Sequence, residues 1–384
     1  MRILLISSRY LPHRGGLESV VHHLAREYVG LGHTVRIVTN RYPRTLPASE
    51  VIEGVPVTRL HFLLPGARYL HARRFDLWLA SFWYRYSSAR ALGRIIRAFR
   101  PSIINNHYLN EVAEFTGRCL ARRLPLIPWV ISLHGGDVDG EPHLSAANKA
   151  RFRRLSLAAD GLTACSGFLA AQAIELEPAL AGKITAIHNG VDVQRFAAAP
   201  PYPSDGPYIL AVGQLLSHKG FDILIHAFSQ VALRYPGVQL LIAGEGPERT
   251  VLEAAIQQGR LESRIKLLGK VDEARVASLM AGCLFVAMPS RREPFGIVAL
   301  EGMAAGKPVL AAPVGGLPEF MPVPPNRLVP VNLADWIAAL DEWLALCEQG
   351  LLDAAVNLQE AAGHDWLDVA QSYLQVYNQV ITNI

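Results

Sequence analysis

One rhythm constrains this chain more than any other feature. Apolar runs of strand length alternate with longer stretches of helical periodicity, beginning with "RILLIS", "LESVVHHLAREYVGLG" and "HTVRIVTN". Strand, helix, strand with intervening glycines predicts a βαβ unit with a right-handed crossover. Further strands are predicted at "SIINNH", "PWVISLHG", "GLTACS" and "KITAIHNG", enough for one doubly wound parallel sheet. The stretch from Asn189 to Tyr208, "NGVDVQRFAAAPPYPSDGPY", carries neither period and predicts a linker. The rhythm then restarts with "YILAVGQ", "GFDILIHAFSQVALRYPG", "VQLLIAGEG", "ERTVLEAAIQQGRL", "RIKLLGK", "ARVASLMAG", "LFVAMPS" and a helix from Phe295, which predicts a second doubly wound sheet.

A chain of 384 residues suits two domains, since single cores of roughly 150 to 200 residues are the common size. The expected fold class is therefore α/β, with two Rossmann-like doubly wound parallel-sheet domains. The first is expected over residues 1–195, completed by a closing helix over 365–384, and the second over 196–364. In that closing stretch Trp366, Val369, Tyr373, Val376, Tyr377 and Val380 recur near helical spacing, the pattern of a packing helix. Ligands of open α/β folds bind beyond the carboxyl ends of the strands, so a site in a cleft between the domains is expected.

Composition narrows the class. With 51% hydrophobic and 18% charged residues the chain is far from disordered compositions. A net charge of +4 does not call for nucleic acid, yet permits an anionic ligand or membrane surface. Cys119, Cys165, Cys283 and Cys347 show no C-x-x-C and no metal spacing with histidine, so they read as small buried hydrophobes in a reducing compartment. "MRILLISS" is too short, and too soon followed by Arg9, His13 and Arg14, to read as a signal peptide. No stretch reaches the ~18 to 20 apolar residues of a membrane span. A cytoplasmic protein is expected, soluble or peripheral at the inner face of a membrane.

The densest chemistry lies in "PSRREPFGIVALEGMAAGKPV", where Glu293 and Glu301 bracket a helix start. At ~1.5 Å per residue the two carboxylates are offset by on the order of 10 Å along the axis. A retaining glycosidase needs its pair ~5 Å apart, so hydrolase chemistry is disfavoured. Between them the amides of Gly296, Ile297 and Val298 form an anion site suited to a diphosphate. A ligand with hydroxyls, a diphosphate and more hydroxyls is a nucleotide sugar, with Glu293 on the sugar and Glu301 on the ribose. The same spacing also arises from a solvated glutamate and a helix-face glutamate that bind nothing. In "VGQLLSHKGFDILIHAF", Lys219 precedes another helix start and reads either as a phosphate counter-charge or as a surface lysine. Gly15 and Gly16 follow the first strand, where small residues allow a ligand close to the backbone. His134 and Asp137 in "SLHGGD" follow another strand at a carboxyl end.

Together these stretches resemble glycosyltransferase family 4, retaining enzymes of GT-B architecture. The likeness rests on Gly15-Gly16-x-Glu18, "HGGD", "HNGVD", "VGQLLSHKG", "IAGEGP", the long "MPSRREPFGIVALEGMAAGKPVLAAPVGGLPE" and the closing aromatic helix. It implies a UDP- or GDP-sugar donor held by the second domain, an acceptor held by the first, and no catalytic metal. It implies that Glu293 and the backbone at Phe295, Gly296 and Ile297 hold the donor sugar and phosphates, and that Glu301 holds the ribose. Lys219 would stabilise the leaving diphosphate, His134 would face the reacting centre, Gly16 would approach the phosphates, and the turn at Val271 would meet the base. The implied mechanism is same-face attack, the departing phosphate oxygen taking the acceptor proton.

Three positions depart from the family pattern. Gly213-Gln214 replaces the usual Gly-Arg, removing a cation worth on the order of 3 kcal/mol of transition-state stabilisation in comparable sites, for which Arg9, Arg14 and Arg292 are the candidate substitutes. Gly282-Cys283 replaces the usual Ala-Asp, and "FMPVPPNRLVPVNLADW" lacks the customary glycine loop. The missing cation keeps a binding-only protein in view as an alternative, and a nucleotide-sugar epimerase is a second. On the acceptor side, the arginine- and aromatic-rich residues 64–100 fit either a buried aromatic helix with a solvated basic face or a surface for an anionic membrane presenting a lipid-linked acceptor. The expected acceptor is a glycan, a glycolipid or a small molecule.

Overall fold

The computed structural model describes residues 1–13, 15–62, 74–123, 127–140, 143, 145–321 and 324–383. They form two compact units, Met1–His188 with Trp366–Ile384, and Asn189–Asp365.

The first unit is built on an 8-stranded sheet ordered β3-β4-β2-β1-β5-β6-β7-β8. Its strands are β1 (Arg2–Ser7), β2 (Thr34–Asn40), β3 (Ser49–Ile52), β4 (Val55–Leu60), β5 (Ile103–His107), β6 (Trp129–Leu133), β7 (Gly161–Ala164) and β8 (Ile184–Ala186). All neighbours are parallel except β3 on β4. That edge hairpin adds an antiparallel strand to the parallel sheet expected. Its two-residue turn, Glu53-Gly54, has φ of 47° and 81°, the left-handed pair that matches strand twist. β1, β5 and β6 are buried nearly end to end, as central parallel strands covered on both faces must be.

The closing helix Trp366–Thr382 belongs to this unit. Trp366 stacks on His23 at 4.9 Å. Tyr28 Oη donates to Tyr377 Oη at 3.2 Å, and Tyr377 Oη donates to Asn105 Oδ1 at 2.7 Å, a buried relay from helix to central strand. The approach is close: a Cβ on Gly161 would lie 2.7 Å from Val380 Cγ2.

The second unit carries a 6-stranded parallel sheet ordered β11-β10-β9-β12-β13-β14. Its strands are β9 (Tyr208–Val212), β10 (Gln239–Ala243), β11 (Ile265–Gly269), β12 (Val286–Met288), β13 (Val309–Ala311) and β14 (Arg327–Leu328). Phe228, Phe285, Trp336 and Trp343 fill the core beneath it. The substituted Gly282 is explained here: a Cβ would come 2.5 Å from the Tyr208 hydroxyl, which donates to Leu279 O. Past Glu319, residues 322–323 lie outside the described ones, and Asn326 anchors the chain by accepting from Val309 N at 3.0 Å.

The boundary differs from the one expected. Residues 189–195 belong to the second unit, and the presumed linker contains a helix, Val193–Ala197. Asp192 caps it by accepting from Arg195 N, and Arg195 then pairs with Glu273 at 2.7 Å. A one-turn helix held by a cap and an ion pair leaves no periodic signal.

Candidate active site

In the second unit the fold joins two residues that are 74 apart in sequence: Lys219 Nζ donates to Glu293 Oε2 at 2.5 Å. Each arm is shaped by glycine. Lys219 closes the short turn Ser217–Lys219, which Gly220 ends in the left-handed region at φ 70°. A Cβ on Gly220 would sit 2.0 Å from Pro289 O, so only glycine lets this turn press against the loop carrying Glu293. Behind the other arm, Gly315 at φ 61° lies under Glu293, where a Cβ would be 1.5 Å from Glu293 O.

The two arms are also latched by charge. Arg291 Nη1 and Nη2 donate to the Asp222 carboxylate at 2.9 and 2.6 Å, and Nη1 donates to Ser217 O at 2.5 Å. The backbone closes the same gap, Arg291 N donating to His218 O at 2.7 Å. A planar guanidinium suits this fork, which brackets the lysine turn from both sides.

The helix beyond is Ile297–Ala304, with Gly296 at φ 106° as its N-cap and no side chain capping it. Its first amides have no intrahelical acceptor and face an anion favourably. Phe295 is buried and stacks on Phe320 at 4.8 Å, so its side chain is core and only its backbone is available to a ligand. Glu301, one turn in, is partly buried. Burial, and then the negative charge of Glu273, push its carboxyl up to about 8, with Arg195 opposing.

Gln214 is exposed on a tightly held loop: Cβ atoms on Gly244 and Gly246 would lie 1.8 Å from Gly213 O and 2.3 Å from Leu215 O. Gly213 itself faces the Lys219 stem, a Cβ there lying 3.8 Å from Lys219 Cδ. Val271 follows β11 and is partly buried. Of the candidate substitute cations, Arg292 is exposed, Arg9 lies 3.3 Å from His13 Nε2 in the first unit, and Arg14 is outside the described residues.

In the first unit the carboxyl ends of β5 and β6 carry a histidine pair of which sequence reasoning finds only one member. His134 Nε2 lies 3.2 Å from His107 Nδ1, the rings 5.4 Å apart at 26°. Burial lowers the His134 ring to about 4 and depresses His107 well below the ordinary range, so both are neutral at physiological pH. Asp137 sets the geometry, accepting from His134 N, Gly135 N and Leu109 N at 3.0, 2.9 and 2.9 Å. The glycines of "HGGD" follow from this: Gly135 is at φ 125°, and a Cβ on Gly136 would meet the Tyr108 hydroxyl at 2.5 Å. The signal that could have found His107 is the end of "SIINNH", the matching strand end one place over in the sheet.

Gly16 opens the helix Gly16–Gly30, and the buried Glu18 carboxylate folds back over Gly15, 2.7 Å from where a Cβ would stand. That helix start therefore already faces a carboxylate. Among the described residues no group of three or more His, Cys, Asp or Glu could hold a metal ion, and no helix is long and apolar enough to cross a membrane.

Two Rossmann-like units of this kind, the second with a lysine–glutamate pair beside an uncapped helix start, define the GT-B glycosyltransferase class. Residues 14–195 match the family described as Glycosyltransferase Family 4, and residues 192–346 match the one described as Glycosyl transferases group 1. A glycogen synthase of Mycobacterium tuberculosis is 31% identical over 98% of this chain and 94% of its own length. A phosphatidylinositol N-acetylglucosaminyltransferase component of Arabidopsis thaliana is 25% identical over 99% and 82%. Among solved structures, sucrose-phosphate synthase of Thermosynechococcus elongatus aligns over 100% of both chains with a TM-score of 0.82 at 22% identity. Anabaena HepE, crystallised with UDP and glucose, aligns over 99% and 100% with a TM-score of 0.76 at 21%. The chain belongs to the group 1 glycosyltransferases of family 4. It is a nucleotide-sugar-dependent hexosyltransferase, and the epimerase and binding-only alternatives are set aside.

Proposed function

We propose that the enzyme transfers a hexose with retention from a UDP- or GDP-sugar to a glycan, glycolipid or small-molecule acceptor. The observation that carries this is the Lys219–Glu293 pair beside the open start of the Ile297–Ala304 helix. A cation, a carboxylate and free amides within one loop cluster meet the three parts of a sugar diphosphate in turn.

In this proposal Glu293 accepts from donor-sugar hydroxyls, with the Phe295 and Gly296 backbone beside it. Lys219 and the amides at Ile297 take up charge as the sugar–phosphate bond breaks, in place of a metal ion. Gln214 borders the diphosphate as a neutral donor, Glu301 holds the ribose, and Val271 meets the base. In the first unit Gly16 is the backbone contact for phosphate. His134 is that unit's candidate catalytic group, and as a neutral ring it offers hydrogen bonds rather than charge. The acceptor oxygen bonds to the anomeric carbon on the face the phosphate leaves, and the departing phosphate oxygen takes the acceptor proton, so no enzyme nucleophile is needed. UDP is the first donor base to try, because HepE, of the same fold, was crystallised with it. The relatives named for glycogen and for phosphatidylinositol support polymeric and lipid acceptors as the first two classes. A lipid-linked acceptor brings with it peripheral membrane contact through residues 64–100 from the cytoplasmic side.

The test is nucleotide release from a panel of UDP-, GDP- and ADP-sugars, with glucan and lipid-extract acceptors, with and without EDTA. The anomeric configuration of the product is read by NMR. Release that depends on acceptor, resists EDTA and gives a product of unchanged configuration is expected; an inverted product would end the same-face mechanism.

A further inference from the structure

The helix Phe75–Phe99 is inside out over its first half. Phe75, Leu79, Phe82, Trp83 and Tyr86 fall at positions i, i+4, i+7, i+8 and i+11, one stripe of a helix, and all five are exposed, Trp83 at 69% and Leu79 at 64%. The opposite face over the same turns buries Ser81 and Ser88, whose hydroxyls donate to Trp78 O and His61 O. Only further along does the buried face turn apolar, at Leu92, Ile96 and Phe99. The stripe itself continues outward as Arg90, Arg94 and Arg97, all exposed. Arg90 donates to the Tyr86 hydroxyl and lies 5.2 Å from its ring centroid, joining the two halves, and Arg97 lies back over Gly93. The helix has one acid, Asp76, and Arg74 neutralises it with two hydrogen bonds of 3.0 and 2.8 Å.

An aromatic surface of about 17 Å followed by about 15 Å of arginine charge with no ion pair among the described residues, at ~1.5 Å per residue, is a poor match to water. We propose that this face is a docking surface for an anionic lipid bilayer. The aromatic half enters the boundary between headgroups and acyl chains, and the arginine half lies along the headgroup phosphates. Charge selects the occupant: a face with three arginines and no free acid complements a phosphate-rich plane. An apolar protein groove would leave those arginines without partners, and a second copy would set arginine against arginine across a two-fold axis. The buried-aromatic alternative for residues 64–100 is overturned for Phe82, Trp83 and Tyr86, while Trp78 and Tyr84 are half-buried; residues 64–73 lie outside the described residues. The proposal deepens the lipid-acceptor branch of the proposed function and rests on it for biological purpose, but vesicle binding is measurable without any sugar transfer.

The experiment is co-flotation of the full chain with vesicles of pure phosphatidylcholine and of phosphatidylcholine mixed with anionic phosphatidylglycerol. Binding to the anionic vesicles alone is expected. R94A/R97A should weaken it roughly 25-fold, ~5-fold per arginine, and L79E/W83E should abolish it, while both variants keep wild-type nucleotide release and thermal unfolding. Absence from both vesicle types, or binding unchanged in either variant, overturns the proposal while leaving the proposed reaction standing. So does a concentration-dependent dimer that L79E/W83E dissociates, since a second copy would then be the occupant. Absence of turnover with any donor would count against the reaction and not against the surface.

Discussion

At the scale of single residues, the Lys219–Glu293 pair makes a sharp claim. The two neutralise each other at 2.5 Å, so each charge is matched and held in place by the other. Removing one leaves the other unmatched. Glu293→Ala is expected to reduce kcat/KM by about 10²-fold or more, in the range found when one positioned polar group is lost from a transition state, with the fold retained and Tm lowered by the uncompensated Lys219. A variant within a few-fold of wild type would remove Glu293 from the site. Glu301 yields a pH prediction. A carboxyl raised to about 8 in the folded protein, from 4.5, binds its proton more tightly than in the unfolded chain. Its presence therefore costs nothing below pH 4.5, and stability falls as pH rises towards 8. Glu301→Gln removes that titration, so the Tm advantage of the variant should grow from pH 4.5 to 8 and then level off. Parallel curves for the two proteins would show that the carboxyl is not shifted.

At the scale of elements, the Lys219–Glu293 pair is only as well placed as the turn and loop that carry it. Arg291 and Asp222 touch neither end of the proposed chemistry directly, yet they tie the Ser217–Lys219 turn to the Glu293 loop. They are positioning residues. Arg291→Ala is expected to lower kcat about 10-fold with KM little changed, a displacement of ~1 Å being enough to cost that much. The swap Arg291→Asp with Asp222→Arg should recover part of it, whereas a merely structural role would show in Tm and not in kcat. This latch also shows where sequence stops being informative. The long strands were legible because a buried parallel strand is a continuous apolar run, and Glu293, Gly296 and Glu301 stood together in one segment. The three-residue β13, the two-residue β14 and the Val193–Ala197 helix are too short to carry a period. His107 opposite His134, Gly315 beneath Glu293 and Asp222 opposite Arg291 exist only once distant segments meet. Chain order holds no record of those meetings.

At the scale of the whole molecule, the closing helix decides how the first unit holds together. Trp366, Tyr373 and Tyr377 are buried in it, and the Tyr28–Tyr377–Asn105 relay is sealed from water. Tyr377→Phe removes one hydroxyl and leaves the Asn105 oxygen and the Tyr28 hydroxyl each short of a partner, which should cost about 1–3 kcal/mol. Chemical denaturation should place that loss in the first unit, the second melting as in wild type. A uniform shift of both transitions, or none, would contradict the division into units.

The same helix has a consequence for biosynthesis. The first unit is begun by Met1–His188 but lacks its Trp366–Thr382 wall until the whole of Asn189–Asp365 has been made. At ~5–20 residues per second that interval is on the order of 10–40 s. During it the Gly16–Gly30 helix, whose His23 and Tyr28 meet Trp366 and Tyr377 in the finished unit, is without that partner while the second unit is made. The half of the enzyme that starts first is therefore finished last.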